Sequence, residues 1–133
     1  MSTQLYVNEK GAGQINSDSC HYSQCVVIGN VAELSGQGGW DNDNNCDYDI
    51  ETQVKHAFEN VDRVLQAAGF RGWEDVYKLR SYHCNIAESF PLVVEALRKR
   101  IPGHRPVWTS IEVPRLAFPP MQLELEVTAI KQK

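Results

Sequence analysis

Two glutamates in the closing stretch LELEVTAI, Glu124 and Glu126, share one parity of an alternating run, which puts both carboxylates on one face of a strand. On such a face they are either acid–base groups or solvated charge, and a solvated face is the default reading. The stretch HRPVWTSIEV poses a different problem. It alternates like a half-buried strand, yet it sets Trp108 with Ser110 and Glu112 on the polar parity, opposite Val107, Thr109, Ile111 and Val113. An exposed tryptophan is costly, so a ligand pocket or a subunit interface is expected to cover it. If the two strands are neighbours, Trp108 and Glu124 share a surface.

Other constellations carry less. The acidic run DNDNNCDYD offers oxygens at Asp41, Asp43, Asn45, Asp47 and Asp49. A helix-loop-helix calcium site, however, needs glycine sixth and a bidentate glutamate twelfth, where this chain has Cys46 and Thr52. Cys20, His21 and Cys25 lack paired zinc-ligand spacing, so no metal is expected. His83 and Cys84, adjacent on a strand, point to opposite faces and cannot pair as nucleophile and base. LSGQGGW ends a strand in glycines that permit a turn or close backbone approach to a ligand, without the spacing of a dinucleotide fingerprint.

The chain has 133 residues, 13 basic against 17 acidic, for a net charge of −4. That length fits one domain over residues 1–133, and that charge leaves no electrostatic footprint for phosphate backbones, so nucleic acid is not an expected partner. No apolar run approaches the ~20 residues of a membrane span and the start lacks a signal-peptide core, so no membrane partner is expected and a cytoplasmic location is. The cysteines, four in number, are read as free thiols.

The elements that must position these groups follow from periodicity. Val54, Ala57, Phe58, Val61, Val64, Leu65 and Ala68 recur at helical spacing between a capping Asp49 and a closing Gly69. A second helix is expected after Ser89, with Pro91 in its first turn and Leu92, Val93, Ala96 and Leu97 buried, ending at residues 101–103. Strands are expected over 25–34, 76–85, 105–113 and 121–130. Two helices on one face of a mixed sheet give a two-layer α+β domain, its other face left for solvent, ligand or another subunit.

Taken together, YSQCVVIGNVAELSGQ, QVKHAFENVDRVLQAAG, WEDVYKLRSYHCN, TSIEVPRL and LELEVTAI resemble, in order and spacing, the reactive intermediate deaminase family, also called Rid or YjgF. The resemblance implies a chorismate-mutase-like α+β subunit, a homotrimer whose sheets close a central barrel, and small-molecule clefts between subunits. It implies hydrolysis of reactive enamines and imines with release of ammonia, and no metal or organic cofactor. By it, Tyr22, Ser35 and Gly36 line the cleft and Glu124 positions the attacking water. The family's carboxylate-gripping arginine is replaced here by Trp108, and a cysteine two residues on by Ser110, so both are expected to line the cleft. An indole offers one N–H and no bidentate clamp. The expected activity is therefore a deaminase acting on something other than simple 2-imino acids, or else a non-catalytic small-molecule or protein-binding role. Arg115, beyond a proline, is a possible substitute for the lost arginine. An endoribonuclease, a label attached to relatives, is opposed by the acidic balance.

Overall fold

A computed structural model describes residues 4–132. The chain runs β1 (Gln4–Val7), α1 (Ala12–Cys20), β2 (Cys25–Ile28), β3 (Val31–Leu34), β4 (Gln37–Gly38), α2 (Ile50–Ala67), a 3-10 turn (Trp73–Asp75), β5 (Val76–His83), α3 (Ile86–Arg100), β6 (Val107–Glu112) and β7 (Leu123–Ile130). All strands join one mixed sheet in the order β1-β2-β3-β7-β5-β6, with β4 also on β7. The fold is the expected α+β class. It carries one helix more than expected and two short strands, β1 and β4, that the periodicity did not show.

The longest helix forms as its sequence dictates. Asp49 accepts from the backbone N–H of Thr52, Gly69 takes φ 88°, and the apolar stripe from Val54 to Leu65 is buried. It packs on the central strand β7, whose Leu123, Leu125, Val127 and Ala129 are all buried on one parity. Phe58 of α2 stacks on the fully buried Trp73 at 4.5 Å, and the Trp73 indole donates to the Phe58 carbonyl.

Three expectations are corrected. Residues 25–34 are not one strand but a hairpin, β2 and β3, reversed at Gly29 with φ 62°. The helix expected after Ser89 begins at Ile86, because Glu112 of β6 accepts from the Ile86 N–H while Ser89 N–H and Oγ both bond the Asn85 carbonyl; Pro91 lies inside it. The strands holding Trp108 and Glu124 are not neighbours, since β5 lies between β6 and β7.

The acidic run 41–49 closes on itself. Asp41 Oδ1 accepts from the N–H groups of Asp43 and Asn45, and Asp49 caps α2. All four cysteines are unpaired thiols. Among the described residues no helix is long and apolar enough to cross a membrane.

Candidate active site

The ladder between β3 and β7 breaks at Ser35 and Gly36. β3 pairs with β7 as far as Glu33, and pairing resumes only at Gln37, opposite Leu125. The break opens a cavity of about 400 Å³ beside Glu124. Tyr22, Ser35, Gly36 and Glu124, four residues from three separate segments, all line it.

Tyr22 and Ser35 are held from behind. Helix α1 stops at His21, which takes the left-handed conformation and bonds back to the Ser17 carbonyl, turning the chain so that Cys20 and Tyr22 both reach the cavity. Tyr22 Oη accepts from Gln24 Nε2 at 2.9 Å, and the buried Gln24 accepts in turn from the buried Gln37. With a lone pair occupied, the Tyr22 hydroxyl keeps its own hydrogen for an acceptor in the cavity. Burial pushes the phenol above its usual range, so the group stays protonated at neutral pH. Ser35 Oγ donates to the Ser23 carbonyl at 2.7 Å and its N–H donates to the Gln24 carbonyl, which pins the loop against the segment bearing Tyr22.

Glu124 lies across Gly36. A β-carbon at Gly36 would overlap the Glu124 carboxyl group, so only glycine leaves that carboxyl room. No described residue donates a hydrogen bond to it. Burial first, and the nearby Glu126 second, raise its pKa above the ordinary carboxylate value. A half-buried carboxylate with free lone pairs and a raised pKa can accept a proton from bound water and return it.

Sequence reasoning left several walls unassigned. Trp40 and Met121 belong to a small apolar cluster with Ala12, and they line the cavity with Leu34 and Phe118. The Trp40 indole N–H is buried without an acceptor among the described residues. Asn60 of α2 fixes this segment, its Nδ2 donating to the carbonyls of Gly38 and Trp40. Glu126, weighed in the sequence as surface charge, also lines the cavity and accepts from Tyr82 Oη at 2.6 Å.

Trp108 and Ser110 lie elsewhere in the subunit. Trp108 aligns with Leu79, and Leu79 with Val127, on the helix-covered face; Glu124 aligns with Tyr82 and Ile111 on the other. The expectation that Trp108 and Glu124 share a surface of this chain is therefore overturned. Trp108 stacks on Phe90 of α3 at 4.8 Å and 9°, and its indole donates to Ser81 Oγ. A buried polar chain runs behind it: Ser110 Oγ to Ser81 Oγ at 2.8 Å, Ser81 Oγ to His83 Nε2 at 2.8 Å, and His83 Nδ1 to Ser89 Oγ at 2.5 Å. Ser89 already donates to Asn85, so it accepts from Nδ1–H, which leaves Nε2 to accept from Ser81. The neutral tautomer fits a His83 pKa lowered by burial. Arg115 lines a neighbouring cavity of about 530 Å³ that shares Ala117, Phe118 and Met121 with the first.

A family model described as Endoribonuclease L-PSP matches residues 15–131. A RutC family protein of Saccharolobus solfataricus is 33% identical over 114 residues, 84% of this chain and 86% of the relative. A 2-iminobutanoate/2-iminopropanoate deaminase of Dermatophagoides farinae is 28% identical over 111 residues, 82% of this chain and 83% of that protein. A solved structure of the protein YjgH superposes with a TM-score of 0.86 at 25% identity, covering 99% of both chains. The chain belongs to the YjgF/Rid family.

Proposed function

We propose that the protein hydrolyses a reactive enamine or imine other than a simple 2-imino acid, releasing ammonia. The observation that carries this reading is the meeting of Tyr22, Ser35, Gly36 and Glu124, to which no described residue donates, in one cavity. Water adds to the C=N carbon of the protonated imine while Glu124 takes its proton. The carbinolamine nitrogen recovers that proton and leaves as ammonia with the C–N electron pair, and the hydroxyl proton departs as the carbonyl forms. The Tyr22 hydroxyl donates to the new oxygen. A protonated imine is already electrophilic, so positioning and proton transfer supply the catalysis.

The lost arginine sets the substrate. At the corresponding position the Trp108 N–H is engaged by Ser81 and the ring by Phe90, so no carboxylate clamp is offered there. The same observation supports the alternative, a non-catalytic binder of small molecules in the same cavity. In this reading the subunits form a homotrimer in the cytoplasm. Its assembly is supported by the helix-free sheet face, where Val107 is 65%, Tyr6 60% and Ile28 42% exposed.

The test is a trapping assay. An amine oxidase generates carboxylate-free imines, an amino-acid oxidase generates 2-imino acids, and semicarbazide traps whatever survives. Accelerated loss of the carboxylate-free imine, abolished by Glu124→Gln, is the expected result. Turnover unchanged by that substitution removes Glu124 from the mechanism, and no acceleration with any imine leaves the binder.

A further inference from the structure

Among the described residues, the lining of the cavity includes two carboxylates and no arginine, lysine or histidine. Glu124 and Glu126 stand on one side of β7, and the two are held very differently. Tyr82, the cross-strand partner of Glu124, sends its hydroxyl diagonally to Glu126 Oε1 at 2.6 Å, while Arg80 Nη1 stands 4.0 Å from Oε2. Glu126 is thus fixed by the protein. Glu124 is not: it is half-buried and receives no donor from any described residue. A half-buried carboxylate with free lone pairs is open to whatever donor enters the cavity, and an N–H group that reaches it makes a charge-assisted hydrogen bond. The rest of the wall, Leu34, Trp40, Phe118 and Met121, is apolar or aromatic. Its volume suits a body of about one aryl ring or somewhat more.

We propose that this cavity selects a carboxylate-free, positively charged nitrogen compound, a protonated amine or iminium, whose N–H groups donate to Glu124 and whose apolar body lies against Trp40, Phe118 and Met121. Glu126 supplies a second negative charge that a carboxylate-bearing ligand would meet as repulsion. As a statement of substrate class the proposal rests on the imine-hydrolysis reading above, but the binding preference is measurable without turnover.

The experiment titrates the full chain with three probes of one body size: 2-phenylethylamine as cation, 3-phenylpropanoate as anion and phenylalanine as zwitterion, read by calorimetry. The amine is expected to bind about 10- to 100-fold more tightly than the other two, the worth of one charge-assisted hydrogen bond. Glu124→Gln should remove most of that preference, and Glu126→Gln should reduce it. Equal or tighter binding of the anion or the zwitterion overturns the proposal. If Arg115→Ala removes that anion binding, the neighbouring cavity is a carboxylate site instead. Failure of the amine to saturate below about 10 mM also overturns it. A protein that prefers the amine and hydrolyses no imine keeps this inference and loses the deaminase reading. Fast hydrolysis of 2-iminopropanoate overturns this inference and the exclusion of simple 2-imino acids, and keeps imine hydrolysis itself.

Discussion

The carboxyl group of Glu124 rests on the α-carbon of Gly36, in the space where any other residue would carry its side chain. The contact joins the break between β3 and β4 to a cavity carboxylate that no described residue pairs with. Gly36→Ala tests it directly. The obstructed atoms are the far end of a flexible side chain, so a methyl group displaces the carboxyl rather than the backbone. Turnover should fall about 100-fold, the loss expected for misplacing a reacting group by roughly 1 Å. The melting temperature should stay within about 4 °C of the parent, a change of no more than about 1 kcal/mol. A Gly36→Ala protein of normal activity would show that Glu124 is not needed where it lies.

The pH dependence follows from the same carboxyl group. In the proposed role of base Glu124 must be ionised, so kcat/KM should rise with pH through an inflection above the ordinary glutamate value of about 4.3. Burial is the first cause of the raised value and Glu126 the second. Glu126→Gln should therefore move the inflection down only part of the way, and an unmoved inflection would deny the coupling. Stability carries the opposite sign. A carboxyl whose pKa is raised on folding binds its proton more tightly in the native state, so its contribution is present below the unfolded value and lost as pH rises through the folded one. Glu124→Gln should be relatively more stable than the parent at pH 7 than at pH 4, as measured by denaturant titration.

The loop that holds the aromatic wall depends on one amide. Asn60 bridges α2 to the carbonyls of Gly38 and Trp40. Asn60→Ala leaves two buried carbonyls without that donor and should cost about 1–3 kcal/mol. Because Trp40 loses its anchor, affinity for any cavity ligand should fall along with stability. Unchanged affinity would separate the loop from the site.

Much of this was legible in the sequence for a physical reason. In α2 the apolar period, the capping Asp49 and the closing Gly69 all specify one helix, and β7 alternates without exception. The missed elements lack such agreement. Helix α1 buries only Ala12, Gly13 and Asn16, so it has no apolar stripe to detect. The hairpin at Gly29 hides inside a run of apolar residues that reads straight through the turn. The parity split of β6 was readable, but its facing was not. Polarity suggested that Ser110 and Glu112 look outward, whereas they face the helix side, where Ser81 and the Ile86 N–H receive them. At an edge strand with polar partners within and exposed apolar residues without, side-chain character alone does not specify direction. Tyr22, Ser35, Gly36 and Glu124 were assigned by resemblance, and only the broken ladder explains why they meet.

The polar chain behind Trp108 yields the last prediction. Ser81 is fully buried and serves three groups: it accepts from the Trp108 indole and from Ser110, and it donates to His83 Nε2. Ser81→Ala strands all three, whereas Ser110→Ala removes one donor that Ser81 can do without. Ser81→Ala should therefore be the more destabilising, by about 1–3 kcal/mol for a stranded buried group, and Ser110→Ala should cost less than about 1 kcal/mol. The histidine adds a pH signature. Its pKa is lowered on folding, chiefly by burial, so the unfolded chain binds the proton first. Stability is then full above the unfolded value of about 6.5 and declines as pH falls from there through the folded value. His83→Gln should flatten that acid-side decline in denaturant titrations. A decline of unchanged slope would mean that His83 titrates alike in both states, and that the network does not depend on the neutral ring.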